Sequence, residues 1–374
     1  MKDQLYKVGQ EIKQKICEIS DFMYHNPELG NQEYKAAEKL EQFLKAHGFE
    51  VAHAPLGIET AFHAIFDSGK PGKEVAFLCE YDALPEIGHA CGHNMIGAMS
   101  VGAGVALSKV LEQTGGKIHV FGTPAEETNG AKVAMSEEGL FNGITAAMMI
   151  HPSSETRESG ASSAMEALQF AYSGLTAHAA GCPEEGINAL NAVIQLFNGI
   201  DALRQHVTPD VRMHGVIAKG GVAANIVPDE GVAQFYIRAA TKETLALVKE
   251  KVLNIANGAA LMTGATLEVS NYELSYDDLK TNAPLMEAYN KNLRLLGITD
   301  GLPPSKGAGS SDIGNVSNVL PTIHPYISIS ETPLIGHTRE FADATVTPIA
   351  HERLLIGALT LAYTGLDVLE GLAL

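Results

Sequence analysis

A cysteine and a histidine stand two positions apart in the segment from Gly88 to Asn94 (GHACGHN). The thiolate of Cys91 and the imidazole of His93 are both ligands that zinc prefers in proteins. The glycine between them lets the backbone turn tightly enough to aim both side chains at one ion. A lone cysteine is more often a small buried residue than a ligand. The pair therefore predicts a metal site only if further ligands converge on it.

Polar side chains follow three short apolar runs at the point where each run ends. The runs and the residues after them are Glu74–Tyr81 before Asp82, Lys117–Thr123 before Pro-Ala-Glu126-Glu127, and Ala146–Ile150 before His151. Near-continuous apolar runs are typical of strands in a buried parallel sheet. The carboxyl ends of such strands lie at one edge, where open α/β sheets bind their ligands. We therefore expect these residues to meet in one cleft.

Glu126 and Glu127 are adjacent, so their side chains point in different directions and can have different roles. One can bind metal while the other acts as a general base. The alternative, a solvated acidic loop, is disfavoured because the pair directly follows a buried strand.

A fifth candidate ligand is His337, in the segment from Gly336 to Phe341 (GHTREF). The local pattern there does not decide between a metal ligand and an ordinary loop histidine.

The number of candidate ligands bears on the number of ions. A catalytic zinc ion usually has three protein ligands and one open position. Five ligands are too many for one such ion, whereas five with one shared suit two ions about 3.5–4 Å apart. The five candidates are Cys91, His93, Glu127, His151 and His337.

The order of predicted elements indicates an α/β fold with an insertion. Two helices fill the first ~50 residues, and helices then alternate with apolar strands in a mostly parallel sheet. The middle segment instead has the β-α-β-β-α-β order of a ferredoxin-like domain. We predict a discontinuous catalytic domain of residues 1–162 and 276–374, and an inserted lid or dimerisation domain of residues 163–275.

Composition limits the classes of protein that the chain can be. A formal net charge of −18 disfavours nucleic acid and anionic membranes as partners. Four cysteines in 374 residues form no disulfide framework. The N-terminus is charged rather than signal-like, and the apolar stretch Leu354–Leu366 is shorter than the ~20 residues of a membrane span. A cytoplasmic protein is the expectation.

Seven motifs, in this order, resemble those of the di-metal aminoacylase and carboxypeptidase family of metallopeptidases. They are EYDALPEIGHACGHN, PAEE, MMIHP, GLTAHAAGCPEEGINAL, GGVAANIVPD, GSSDIGNVSNVLPTIHP and GHTREF. Within that family they look like the amidohydrolase branch, in the subgroup with aminobenzoyl-glutamate hydrolases, β-alanyl-dipeptidase-like proteins and HmrA-type peptidases. The resemblance covers nearly the whole chain and implies the same fold, a catalytic α/β domain with an inserted ferredoxin-like lid.

The resemblance also implies roles for single residues. It makes Cys91 a bridging ligand, with His93, Glu127, His151 and His337 as the others, and gives Glu126 the place of the general base. His178 matches a lid histidine that stabilises the developing oxyanion, often in a neighbouring subunit's site. Asn225 and Arg238 match substrate-contacting lid residues, and an arginine fork suits a free carboxylate.

This chain departs from carboxypeptidase-type relatives at the end of the first strand. They carry His-x-Asp there and a bridging aspartate, whereas this chain has Glu80-Tyr81-Asp82 and a bridging Cys91. Asp82 is then expected to orient a ligand histidine. Glu80 receives no role, and Gly307–Asp312 lacks a Walker lysine and is interpreted as a substrate-side loop. For His89, His214 and His324, structural and functional interpretations stay equally open.

The expected function is metal-dependent hydrolysis of an amide bond in an N-acyl amino acid or short dipeptide with a free carboxylate. Glu126 would activate a water that bridges two zinc or manganese ions. The expected partners are this small substrate and further copies of the chain, in a homodimer or a larger assembly. Two alternatives are an endopeptidase for longer peptides and a metal-binding protein without turnover.

Overall fold

A computed structural model describes residues 1–299, 301, 303–304 and 309–374. Two compact units divide the chain. The first comprises Met1–Ala161, the described residues of Leu279–Gly307, and Ser311–Leu374. The second comprises Ser162–Asp278 and the described residues of Ala308–Ser310.

The amino-terminal part of the first unit begins with two helices and continues with alternating strands and helices. Its elements are α1 (Lys2–His25), α2 (Tyr34–Ala46), β1 (Glu50–His53), β2 (Phe62–Asp67), β3 (Glu74–Cys79), α3 (His93–Ser108), α4 (Leu111–Thr114), β4 (Lys117–Gly122), α5 (Ala131–Glu137), β5 (Ala146–Met148) and β6 (His151–Ser153).

The second unit has the predicted β-α-β-β-α-β order. Its elements are β7 (Ala164–Ser173), α6 (Ala189–Leu203), β8 (Arg212–Lys219), β9 (Glu230–Ala239), α7 (Lys242–Thr263) and β10 (Thr266–Asn271). The strands form an antiparallel sheet in the order β10-β7-β9-β8. Buried and partly exposed residues alternate along β9, which fits a sheet with one covered face. The buried residues of α6 and α7 share one apolar core with that face.

The chain then completes the first unit with mostly helical elements. They are α8 (Ala283–Leu295), α9 (Ile313–Ser317), β11 (Thr322–Ile323), β12 (Tyr326–Ser328), α10 (Arg339–Ala344) and α11 (Pro348–Leu369). The stretch Leu354–Leu366 lies within α11 and is largely buried. Among the described helices, none is both long and apolar enough to cross a membrane.

The main sheet of the first unit confirms the predicted mostly parallel arrangement. Its order is β1-β2-β4-β3-β5-β11, and β3, β4, β5 and β11 run parallel. The central strand β3 is almost completely buried, because apolar cores cover both faces of the sheet. The residues that follow β3, β4 and β5 therefore emerge at one edge.

The antiparallel edge formed by β1 and β2 was not predicted. Strand β2 has the sequence FHAIFD, in which apolar and polar residues are mixed and only part of the strand is buried. It pairs antiparallel with β4 along its whole length. The hydrophobic pattern of such a short, half-buried strand is weaker than that of the apolar central strands.

Candidate metal centre

Five of the predicted residues meet in two overlapping groups in the first unit. Cys91, His93 and His151 each bring one donor atom within 4.8 Å of the others, and so do Cys91, Glu127 and His337. Cys91 belongs to both groups. Three ligands per group with one shared thiolate is a donor set that suits two neighbouring divalent ions.

The backbone between Cys91 and His93 has a conformation that requires glycine. Gly92 has φ +80°, and a Cβ added there would lie 2.3 Å from Cγ of Pro152. His93 begins helix α3 directly after this turn. The Sγ atom of Cys91 then lies 3.4 Å from Nε2 of His151, which begins β6. Gly92 thus allows the helix start and the strand to approach closely.

Asp82 contacts two of the candidate ligands with its two carboxylate oxygens. Its Oδ1 lies 2.9 Å from Nδ1 of His93, and its Oδ2 accepts the backbone N–H of Glu127 at 3.0 Å. The other ring nitrogen of His93, Nε2, is buried, and so is Oε1 of Glu127. Within the described part of the chain, neither atom has a hydrogen-bond partner. Buried polar atoms without a partner are costly, so their convergence fits a site for cations.

The ring of His151 is held in one tautomer. Its Nδ1 lies 2.6 Å from the carbonyl oxygen of Pro152, which can only accept a hydrogen bond, so Nδ1 carries the proton. Burial, with the nearby charge of His93, lowers the pKa of His151 to about 4. At neutral pH the imidazole therefore presents an unprotonated Nε2, the form that binds metals.

Cys91 is a thiol rather than a thiolate when no cation is near. Burial is the main cause that raises the pKa of its side chain to about 12, while the charge of His93 lowers it. Coordination of a metal by Cys91 must therefore displace a proton.

Two loop residues of the site have a left-handed backbone that side chains other than glycine rarely adopt. Ala125, directly before the two glutamates, has φ 64°, and His337 has φ 59°. The N–H of Ala125 donates to Oε1 of Glu33 at 2.8 Å, and the N–H of His337 donates to the carbonyl of Ala90 at 2.9 Å. Backbone strain of this kind persists where surrounding contacts hold it, often at functional sites.

His337 completes the second group from a distant part of the chain. Its Nε2 lies 3.4 Å from Oε1 of Glu127, and its side chain is 58% exposed. The other four predicted ligands are more buried than His337. One side of the second group is therefore open to solvent.

Glu126 is half-buried beside a cluster of charged residues. Burial, followed by the charges of Glu80 and Asp312, raises the pKa of Glu126 to about 8. The ammonium of Lys132 lies 2.6 Å from Glu80 and 2.6 Å from Asp312. Sequence reasoning gave Glu80 no role and missed Lys132.

The loop interpreted as substrate-side is described only in part. Its first two residues, Gly307 and Ala308, lie outside the described residues. At its end, the carboxylate of Asp312 is buried against Lys132. Sequence analysis gave Asp312 no role of its own.

The histidines left open by the sequence differ in their surroundings. His324 is buried, and its ring centroid lies 5.6 Å from that of His151. His89 is also buried, and its Nδ1 has no hydrogen-bond partner among the residues that the structure describes. His214 is exposed on β8.

His178 and Asn225 come together within the second unit. The backbone N–H of Ala179 donates to the carbonyl of Asn225 at 3.0 Å. Nδ1 of His178 accepts the backbone N–H groups of Ala180 at 3.3 Å and Gly181 at 3.0 Å. The proton of the neutral ring therefore lies on Nε2, which makes this exposed nitrogen a hydrogen-bond donor.

Arg238 lies on β9, in a different part of the same unit. Its Nη1 donates to the hydroxyl of Ser310 at 3.0 Å. Its guanidinium carbon lies 5.5 Å from the ring centroid of Tyr236. These contacts position the guanidinium.

Comparisons with known proteins identify relatives of this chain. Residues 160–262 match the family model of a peptidase dimerisation domain. The chain is 35% identical over 374 aligned residues to the Xaa-Arg dipeptidase of Mus musculus, covering 96% of this chain and 86% of that protein. It is 34% identical over 281 residues to a p-aminobenzoyl-glutamate hydrolase polypeptide of Escherichia coli K12, covering 68% of this chain and 57% of that protein.

A solved structure has the same fold. It is a dinuclear metal-binding peptidase of the M20 family from Bacillus subtilis, with a TM-score of 0.72, 19% identity, and coverage of 96% of this chain and 99% of that one. At that identity the likeness concerns the fold. The dipeptidase match extends over nearly the whole sequence, and the chain therefore belongs to the M20 family of metal-dependent peptidases and amidohydrolases.

Proposed function

We propose that this enzyme binds two divalent ions and hydrolyses the amide bond of N-acyl amino acids or dipeptides. Cys91 is the shared ligand; His93 and His151 complete one site, and Glu127 and His337 complete the other. The observation that carries the proposal is the membership of Cys91 in both three-residue groups. Nε2 of His93 and Oε1 of Glu127 support it, because neither has a hydrogen-bond partner in the part of the chain that the structure describes.

The identity of the ions follows from the chemistry of the ligands. A thiolate and imidazoles favour zinc, whereas the carboxylate leaves manganese as a second choice. When bound, two such ions polarise the substrate carbonyl and lower the pKa of a water toward ~7. We propose that Asp82 orients His93, since Oδ1 of Asp82 fixes Nδ1 of the ring and leaves Nε2 for the ion.

Glu126 is the proposed general base. Its carboxyl pKa is already raised to about 8, with burial as the largest cause. Nearby cations would lower this value, which brings it towards the neutral range where proton transfer in both directions is efficient. Glu126 would accept a proton from the attacking water and donate it to the leaving amine.

Residues of the second unit would contact the substrate. Nε2 of His178 is exposed and carries the proton in the neutral ring, as a hydrogen-bond donor to a developing oxyanion must. We propose that Arg238 receives the free carboxylate, because a guanidinium binds a carboxylate with two parallel hydrogen bonds. Asn225 would contact the substrate beside His178, to whose loop its carbonyl is bonded.

Dipeptides with a carboxyl-terminal arginine are the first substrates to test, because relatives 34–35% identical over nearly the whole chain are Xaa-Arg dipeptidases. The formal net charge of −18 is compatible with a basic substrate. N-Acetyl, N-aminobenzoyl and β-alanyl amino acids form the rest of the substrate class proposed here. The predicted cytoplasmic location stays a prediction.

Self-association through the second unit is part of the proposal. Residues 160–262 match a dimerisation domain. Strand β8 is an edge strand, and its Val216 and Ile217 are 60% and 47% exposed. An exposed apolar edge strand can pair with another chain. We propose a homodimer or larger assembly in which β8 pairs with a second copy.

The test is turnover of this substrate panel, measured separately with Mn²⁺ and Zn²⁺. Glu126→Gln should retain its metal and lose at least ~10²-fold in kcat. Glu138→Gln, which changes an exposed glutamate on the same segment, is the control and should keep full activity. Hydrolysis by Glu126→Gln at near the original rate would contradict the mechanism. Equal cleavage of C-terminally amidated peptides would contradict the carboxylate anchor and favour an endopeptidase.

A further inference from the structure

Three acidic side chains of the first unit lie side by side next to the candidate metal centre. Glu80, Glu126 and Asp312 each bring a carboxylate oxygen within 4.8 Å of the others. The side chain of Glu80 is 2% exposed and that of Asp312 is 0% exposed. Buried carboxylates at this spacing repel one another unless a cation compensates them.

The compensating cation is the ammonium of Lys132, whose side chain is also 0% exposed. Its Nζ lies 2.6 Å from Oε1 of Glu80 and 2.6 Å from Oδ1 of Asp312. The second oxygen of Asp312 accepts the backbone N–H of Lys132 at 3.1 Å. Both oxygens of Asp312 and one oxygen of Glu80 are thus committed to Lys132.

The backbone leaves room for this arrangement. Gly130 stands just before helix α5, which carries Lys132. A Cβ added at Gly130 would lie 2.2 Å from Oδ2 and 2.6 Å from Cβ of Asp312. The aspartate therefore reaches the lysine only because residue 130 has no side chain.

The second oxygen of Glu80 faces a candidate ligand. Oε2 of Glu80 lies 3.5 Å from Nε2 of His93, the ring nitrogen that Asp82 does not contact and that has no hydrogen-bond partner among the described residues. Carboxylate oxygens are ligands for hard cations such as Mn²⁺. Without Lys132, Glu80 and Asp312 could both bind a cation, alone or together with Glu126.

We infer that Lys132 is a positioning residue that keeps Glu80 and Asp312 from binding metal, so that Glu126 alone of the three carboxylates serves the reaction. The inference rests on the proposed role of Glu126. The ammonium of Lys132 occupies the position among these side chains that a third metal ion would otherwise take. The metal centre is thereby limited to two ions.

The experiment compares the Mn²⁺ content of the full-length protein and its Lys132→Ala variant. Each is equilibrated with Mn²⁺, freed of unbound ion by gel filtration and analysed for metal per chain. We expect two ions in the original protein and three in Lys132→Ala, with kcat reduced at least ~10-fold and KM changed less. Lys15→Ala, which removes an equal charge from an exposed pair with Glu18, should retain two ions and full activity.

Equal Mn²⁺ content in Lys132→Ala and the original protein would overturn the inference, whatever the activity. If Lys132→Ala does not fold, Lys132→Met/Asp312→Asn replaces the buried pair without leaving the aspartate charge uncompensated. In that variant Glu80 is released beside Glu126, and we again expect three Mn²⁺ ions per chain; two ions would overturn the inference. Metal content is read without turnover, so absence of hydrolysis by the original protein would count against the proposed function alone.

Discussion

Asp82 fixes the orientation of His93: its Oδ1 lies 2.9 Å from Nδ1 of the ring, which leaves Nε2 as the only nitrogen for a metal. Through Oδ2 the same carboxylate holds the backbone of Glu127 at 3.0 Å. One side chain thus positions a candidate ligand from each of the two groups. This gives the aspartate in the loop after the central strand a structural reason.

Replacing Asp82 by asparagine should weaken metal binding without unfolding the protein. The amide keeps the size of the side chain but loses the charge that supports the N–H of His93. Partners of this kind typically contribute 10–100-fold to metal affinity, so we expect a loss of about that size. Competition with a chelator measures it. Asp201→Asn, on the exposed surface of α6, is the control, and equal affinities in the two variants would contradict the role of Asp82.

Gly92→Ala should disrupt the turn between Cys91 and His93. The substitution adds a Cβ 2.3 Å from Pro152 at a position with φ +80°. Gly57→Ala is a matched control, because Gly57 has φ +75° but no atom of the described residues lies within 4 Å of its added Cβ. Both variants should lose about 1 kcal/mol from backbone strain, and Gly92→Ala should lose more and bind metal less tightly. Thermal unfolding with and without Zn²⁺ tests this; equal losses would mean that the close approach to Pro152 is unimportant.

Glu33 should make stability depend on pH. Burial is the largest cause that raises its carboxyl pKa to about 7, from 4.5. A raised carboxyl pKa means that the folded state binds the proton more tightly than the unfolded state. Its stabilising contribution is therefore full below pH ~4.5 and is lost as the pH rises towards 7, by an amount of order 3 kcal/mol.

The Glu33→Gln variant tests this pH dependence. The amide can still accept the N–H of Ala125 but has no proton to lose. Between pH 4.5 and 7, its free energy of unfolding in urea should fall less steeply than that of the original protein. Parallel curves for the two proteins would show that Glu33 does not titrate as described.

Complementation between two inactive variants tests whether His178 acts across subunits. His178→Ala lacks the proposed oxyanion donor, and Glu126→Gln lacks the proposed base. If each site combines Glu126 of one chain with His178 of another, mixed oligomers contain some sites with both groups intact. Mixing should then restore part of the activity. Absence of recovery after proven subunit exchange would place His178 in the site of its own chain or outside catalysis.

The sequence predicted best the features that depend on short segments of chain. Buried strands leave apolar runs, and the residues after them, Asp82, Glu126 and His151, emerge at one sheet edge as expected. The antiparallel strands β1 and β2 were missed because their pattern is short and mixed. The position of His337 depends on a hydrogen bond to Ala90, far away in sequence, and no local pattern indicates such a contact.

Buried charges were the other features that escaped prediction. Lys132 and Glu33 stand in segments rich in polar residues, as solvated surface segments are. Only the fold brings Lys132 to Glu80 and Asp312, and Glu33 to Ala125. A charge and its partner on separate elements leave no periodic signal, because their spacing in sequence is set by the intervening chain.

The number of ions bound by Cys91→Ala tests the central claim most directly. The protein, its Cys91→Ala variant and the single-group variants His151→Ala and His337→Ala would be loaded with Zn²⁺, dialysed and analysed for metal per chain. If Cys91 is shared, the original protein holds two ions, each histidine variant holds one, and Cys91→Ala holds none tightly. Two tightly bound ions in Cys91→Ala, or fewer than two in the original protein, would contradict a two-metal centre built on this cysteine.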